Sequence, residues 1–236
     1  MKFLKFNTYE EMSAAAAEIM AEQIKAKKNS VLGLATGSTP VGMYKKLIEM
    51  NAAGEIDFSD ITTVNLDEYV GLDGDHEQSY RYFMDTNLFD HINIDKKNTR
   101  VPSGIAEDAA KECADYDAYI ESLGGTDIQV LGIGLDGHIG FNEPDVHFYK
   151  ETHIVELDES TIDANARFFA SRDDVPRKAI TMGVGGIMSA KKIILVANGK
   201  AKKEIVEKAC FGPITPQITA SILQLHPDCT VIYAEE

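Results

Sequence analysis

Val31-Leu32-Gly33-Leu34-Ala35-Thr36-Gly37-Ser38-Thr39-Pro40 compresses a strand, a turn and the start of a helix into one short stretch. Val31 to Ala35 is short and apolar, as a strand covered on both faces must be. Pro40 suits the first position of a following helix, where a missing N–H costs nothing, with Thr39 as its N-cap. The same alternation continues outward in both directions. Phe3 to Phe6 reads as a strand, and Thr8-Tyr9-Glu10-Glu11 as a capping box opening a helix that runs to about Lys28. Ile61 to Leu66 is a strand stopped at Asp67, followed by helices around Ser79 to Phe89 and from about Ala106 to Leu123. Ile128 to Ile133, Ile154 to Leu157, Ala179 to Met182, Ile193 to Ala197 and Thr230 to Ala234 complete the strand set. Strands separated by helical patterns imply βαβ units. The expected fold is therefore a single α/β domain over residues 1–236, with a mainly parallel, Rossmann-like sheet and helices on both faces. No repeat, low-complexity tract or linker divides it.

Composition narrows the function classes. With 44% hydrophobic and 26% charged residues, the chain can build a core and does not read as disordered. Its 23 basic and 38 acidic residues give a formal net charge of −15, which repels nucleic acid and anionic membrane. Neither is an expected partner, and an anionic substrate would need a local basic cluster. Cys113, Cys210 and Cys229 are odd in number and form no CxxC pair, so a reducing compartment fits. The N-terminus lacks a signal-peptide apolar region and no apolar run approaches membrane-spanning length, so the expected location is the cytoplasm.

In a parallel sheet, ligands bind beyond the carboxyl ends of the strands. Thr36-Gly37-Ser38-Thr39 stands there, with small residues, two hydroxyls and helix-start N–H groups that suit a phosphate. A plain strand–helix turn is the alternative. Asp67 also follows a strand and is placed to act as a base, or is a solvated loop acid. Gly132-Ile133-Gly134-Leu135-Asp136-Gly137 spells GxGxxG, and Glu156 lies at the dinucleotide-type distance. Against dinucleotide binding, Asp136 would put a carboxylate beside the pyrophosphate, and no amphipathic helix follows before Pro144 interrupts. The same segment reads better as an acid–base centre: His138 has Asp136 two residues before it, and Glu143 follows. His138, His147 and His153 lack tight ligand spacing, so no metal is expected. Lys200 and Arg167 are cations that can close on a phosphate held by Ser38 and Thr39, if the fold gathers them.

Together, Leu34 to Pro40, Asn65 to Leu72, Gly134 to Pro144, Asn165 to Phe169 and Leu223 to Pro227 resemble the glucosamine-6-phosphate deaminase family in one order along nearly the whole chain. The most specific part is Asp136-Gly137-His138-Ile139-Gly140-Phe141-Asn142-Glu143-Pro144. The resemblance implies conversion of D-glucosamine 6-phosphate and water to D-fructose 6-phosphate and ammonia, without metal or cofactor. It implies Asp67 as the base at C2, His138 in ring opening with Asp136 and Glu143 assisting, and phosphate contacts from Ser38, Thr39, Arg167 and Lys200.

Long members of that family carry an allosteric site for N-acetylglucosamine 6-phosphate just beyond the matching stretch. Here Asp145 to Glu156 is acidic and apolar where that site needs a cation, and the sequence stops at Glu236. The expectation is a non-allosteric enzyme, monomeric rather than hexameric. A lactonase or pentose-phosphate isomerase of the same superfold is the enzymatic rival, and a sugar-phosphate sensor the non-enzymatic one. The sensor is disfavoured by the net charge and by the intact acid–base set.

Overall fold

The computed structural model describes residues 1–157, 159, 162, 163, 166, 169 and 171–236. Within them β2 (Val31–Leu34), β6 (Ile128–Leu131), β9 (Ile193–Asn198) and β10 (Cys229–Ala234) are buried at nearly every position. A strand with no exposed face must be covered on both sides, which explains their continuous apolar runs. They join β1 (Lys2–Phe6), β3 (Thr62–Asn65) and β5 (Thr99–Arg100) in a seven-stranded sheet of order β1-β10-β9-β6-β2-β3-β5. Every pairing in it is parallel.

The helices α1 (Tyr9–Ala26), α2 (Val41–Ala52), α3 (Tyr80–Asn87), α4 (Ala109–Ser122), α5 (Val184–Met188) and α6 (Lys203–Phe211) lie between the strands in sequence. The Thr8–Glu11 capping box opens α1 as read from the sequence. Its buried stripe, Met12, Ala16, Met20 and Ile24, recurs every four residues, with Ala17 and Ala21 beside it. Ser79 caps α3 by accepting from the Tyr82 N–H.

Two local expectations change. Pro40, not Thr39, is the N-cap of α2, and Val41 is its first helical residue. The Thr39 hydroxyl is drawn away to donate to Asn198 Oδ1 at 2.9 Å, at the last residue of β9. The strands at His153–Glu156 (β7) and Lys178–Thr181 (β8) do not extend the parallel sheet. They form a second, antiparallel sheet with β4 (Asp67–Tyr69), in the order β4-β8-β7. Asp67 thus opens a short strand rather than closing one.

The strand order reverses between β2 and β6: the chain proceeds from β2 to β3 on one side and from β6 to β9 on the other. The loops after these two strands therefore diverge and leave a crevice at their carboxyl ends. At the opposite ends Asp127 ties the pair together. Its buried carboxylate accepts from the Val31 N–H at 2.8 Å, Lys27 Nζ at 2.6 Å and Lys191 Nζ at 2.7 Å. Burial opposes its charge, but these donors outweigh it and hold the carboxyl below its usual range.

Because this pKa is depressed in the fold, the stabilisation exists above the unfolded carboxyl range and disappears as pH falls through the folded value. Asp127→Asn should cost about 1–3 kcal/mol at pH 7 in urea unfolding, and the gap from the parent should close below about pH 4. A gap unchanged at pH 3 would mean that the carboxylate charge contributes nothing.

Candidate active site

The loop after β6 and one strand of the small sheet supply the acid–base groups. After β6 the chain turns back on itself: the Gly134 N–H donates to the His138 carbonyl at 2.9 Å, and the Gly137 N–H to the Gly134 carbonyl at 3.2 Å. The Ala220 N–H donates to the Gly137 carbonyl, tying the turn to the 219–225 segment. Asp136 Oδ1 accepts both the His138 backbone N–H at 3.1 Å and His138 Nδ1 at 2.8 Å. Glu143 Oε2 meets the same Nδ1 at 3.2 Å. Ionised carboxylates only accept, so Nδ1 carries the proton and Nε2 is the nitrogen left for chemistry. A Cβ on Gly134 would sit 2.4 Å from His138 Nδ1, so no larger residue permits this approach.

Asp67 enters from β4, where it pairs in register with Thr181 of β8. The Thr181 hydroxyl accepts the Phe141 N–H at 3.0 Å, and Asn142 Nδ2 donates to the Ile139 and Met182 carbonyls, each at 2.9 Å. These bonds clamp the 139–143 segment against the small sheet. Gly140, at φ +60°, marks the contact: a Cβ there would lie 2.9 Å from Thr181 Oγ1 and 3.5 Å from Asp67 Oδ2. Glu68 points the opposite way, as strand alternation demands, and accepts the N–H groups of Tyr69, Tyr80 and Arg81 at the start of α3. Tyr69, Tyr80 and Phe141 form an aromatic wall beside Asp67, with Tyr80 stacked on Phe141 at 6.0 Å between ring centroids.

Burial decides the electrostatics. Asp67 is 6% exposed; burial, reinforced by the Glu68 charge and opposed by His138, pushes its pKa up to about 7. Burial also raises Glu68 to about 7, against the three N–H bonds that favour its charge. For His138, burial disfavours the cation, but the bonds and charges of Asp136 and Glu143 prevail and raise its pKa to about 9. Asp136 is held well below the carboxylate range: burial works to raise it and the His138 bond overrides that. At neutral pH the centre is therefore an imidazolium between two carboxylates, facing a carboxyl group poised to gain or lose a proton.

The remaining expected residues fall as follows. Ser38 is exposed and Thr39 half-buried on the loop after β2, and the Thr39–Asn198 bond carries that loop across the end of β6. Gly37, at φ +93°, makes the turn. Lys200 is exposed, with its charge acting on Glu235. Lys202 instead reaches inward: its half-buried Nζ donates to the Ile133 carbonyl at 2.5 Å, burial lowers its pKa, and Asp136 opposes that. A lysine in Lys200-Ala201-Lys202-Lys203 carries no sequence signal that separates it from its surface neighbours. Arg167, with Asn165 and Phe168, lies outside the described residues.

The GxGxxG reading loses its helix, since the next element after β6 among the described residues is strand β7. His147 is exposed, and His153 packs against Tyr149, the rings tilted by 30° with centroids 4.9 Å apart, so neither joins His138. The donor atoms of Asp136, His138 and Glu143 do lie within 4.8 Å of one another, a span that one cation can bridge. In the structure the imidazole nitrogen is itself the centre of that trio.

Comparison with known proteins places this geometry. Residues 6–226 match the family model described as glucosamine-6-phosphate isomerases/6-phosphogluconolactonase. The chain is 62% identical over 232 residues to a glucosamine-6-phosphate deaminase of Lachnoclostridium phytofermentans, covering 98% of each. It is 60% identical over 236 residues to that of Clostridium perfringens, covering 100% of this chain and 98% of the relative. The solved structure of a monomeric glucosamine-6-phosphate deaminase superposes with a TM-score of 0.97 at 49% identity, over 99% of this chain and 97% of the other. A Thermotoga maritima 6-phosphogluconolactonase, covering 100% of both chains at 17% identity and a TM-score of 0.77, shares the fold alone. By sequence and by structure, the chain belongs to the glucosamine-6-phosphate isomerase/6-phosphogluconolactonase family.

Proposed function

We propose that the protein converts D-glucosamine 6-phosphate and water into D-fructose 6-phosphate and ammonia. The observation that carries this reading is Asp67: a buried carboxyl with its pKa raised to about 7, set beside the His138 centre. A base must be ionised yet strong enough to take a proton from carbon, and a pKa near the working pH balances the two.

The sequence of steps uses only this chain's groups. His138, as imidazolium, gives a proton to the ring oxygen as the C1–O5 bond breaks, and the neutral imidazole takes up the proton that the C1 hydroxyl releases. Asp136 and Glu143 hold the ring by Nδ1 and stabilise its charge. Asp67 then takes the C2 proton, and the electron pair forms the C1=C2 bond of an enolamine as the His138 imidazolium protonates the C1 oxygen. The same carboxyl returns a proton to C1, leaving a C2 iminium. Water adds at C2, ammonia leaves, and the proton released returns to His138. Each step is a proton transfer or an addition–elimination, so neither metal nor cofactor is invoked. Hydrolysis of a lactone removes no proton from C2 and needs no base there.

In this reading Ser38, Thr39 and Arg167 hold the phosphate, with Lys202 as the inner cation and Lys200 adding charge at the rim. The enzyme works as a monomer in the cytoplasm, in the breakdown of amino sugars derived from N-acetylglucosamine. It is not allosterically activated: Asp145 to Glu156 sets three acids and exposed apolar groups such as Val146 against one lysine, Lys150, which pairs with Glu151, where an anionic effector would need cations. The monomeric state of a structural relative at 49% identity supports the first of these points.

Ammonia release from glucosamine 6-phosphate tests the reaction, and rate curves should stay hyperbolic with or without N-acetylglucosamine 6-phosphate. Sigmoidal curves straightened by that compound would refute the absence of allostery. Asp67→Asn should lower kcat by about 10²–10⁴ with KM changed little; equal loss of binding and turnover would remove Asp67 as the base. His138 should titrate near pH 9 by NMR, and Glu143→Gln should lower that midpoint. Since this pKa is raised, the ion-pair stabilisation is complete below about pH 6.5 and is lost as pH climbs through 9.

A further inference from the structure

Helix α2 begins without a cap of its own. Pro40 occupies the N-cap position and offers no side-chain acceptor to the first-turn N–H groups. An acceptor comes from another helix: the Gly42 N–H donates to the Tyr9 hydroxyl at 2.7 Å. As a donor, the same hydroxyl lies 3.1 Å from the Ser38 carbonyl and 3.0 Å from the Thr39 carbonyl. One oxygen thus binds the helix start and the loop immediately before it.

Tyr9 is well fixed for this task. It is the first residue of α1, directly after the Thr8 cap. Glu11 Oε2 accepts the N–H groups of Asn7 and Thr8, and Thr8 Oγ1 accepts that of Glu11. The Tyr9 ring packs against the main core. The approach between helices is close: a Cβ on Gly42 would lie 2.2 Å from Ser13 Oγ and 2.9 Å from Tyr9 Cε1.

The consequence for the loop follows from peptide geometry. The Ser38 carbonyl and the Thr39 N–H share one planar unit, and no cis peptide occurs among the described residues. In a trans unit these two groups point in opposite directions. A Ser38 carbonyl held toward Tyr9 therefore aims the Thr39 N–H away from α1, to the solvent side of the loop. That is an anion-binding orientation, at the start of a helix whose dipole favours negative charge.

We infer that Tyr9 is a positioning residue for the substrate's phosphate, capping α2 from α1 and holding the Ser38–Thr39 backbone in the orientation that receives the anion. The inference rests on the reading of residues 36–39 as the phosphate loop. Tyr9→Phe removes only the oxygen. It should raise both KM for glucosamine 6-phosphate and the inhibition constant of inorganic phosphate about five- to tenfold, with kcat within about twofold. Thr8→Ala, which breaks the capping box but keeps the Tyr9 hydroxyl, should lower the thermal midpoint while leaving both constants within about twofold.

Ser38→Ala separates this inference from the reading beneath it. If Ser38→Ala weakens phosphate inhibition and Tyr9→Phe does not, the loop holds the phosphate but Tyr9 has no positioning role. If neither does, the loop is not the phosphate site and both readings fall. If Thr8→Ala raises KM as far as Tyr9→Phe does, the effect is one of stability and the inference is overturned.

Discussion

The folding of residues 134–143 is organised around one imidazole nitrogen. His138 Nδ1 faces Asp136 at 2.8 Å and Glu143 at 3.2 Å, and almost every local feature serves that arrangement. Gly134 clears the space, Asp136 binds the His138 backbone as well as its ring, and Asn142 anchors the turn to the neighbouring sheet. A buried imidazolium without those two partners would lose its proton, since desolvation alone lowers a histidine pKa. The turn thus needs both acids to keep one positive charge inside the protein. Asp67 depends on the same charge, which opposes the effects of its burial and of its neighbour Glu68.

The two sheets divide the labour. The parallel sheet fixes where the loops after β2 and β6 part, and with Asp127 locking their far ends this crevice is a rigid feature. The small antiparallel sheet brings in what the parallel sheet lacks, a carboxylate approaching the crevice from the side. Alternation along β4 sends Asp67 to the site and Glu68 to the start of α3. Adjacent acids thereby receive different surroundings: one meets the reacting centre, the other three backbone N–H groups.

Much of this is legible in the sequence, and the illegible part has a physical pattern. Continuous apolar runs and the capping box carry their own local signal, so α1 and six of the seven parallel strands are found from residues alone; β5, only two residues long, carries no such run and is missed. His138 with Asp136 and Glu143 is legible because the contacts are local in sequence. The pairing of β4, β8 and β7 is not: β4, Asp67-Glu68-Tyr69, carries no apolar strand pattern, and the β-branched residues of β7 and β8 read the same whichever direction they pair in. Thr39 has the chemistry of an N-cap, but Asn198, 159 positions away, competes for its hydroxyl. Lys202 and Tyr9 escape for the same reason. Their significance lies in contacts with Ile133 and with residues 38–42 that no local pattern announces.

The charge balance explains how a chain of net charge −15 can accept a phosphorylated sugar. Asp67, Asp136 and Glu143 make one end of the site acidic, and His138 offsets part of that charge. On the proposed reading the substrate is itself polarised, with an amine at C2 and a phosphate at C6. The acidic end repels the phosphate and attracts the ammonium, while the loop after β2 offers backbone N–H groups and hydroxyls at the other end. The overall negative field then does not oppose binding uniformly; it orients the sugar. A phosphorylated lactone has no cation to answer the acidic end, so on the same proposed reading these carboxylates also disfavour a lactone substrate.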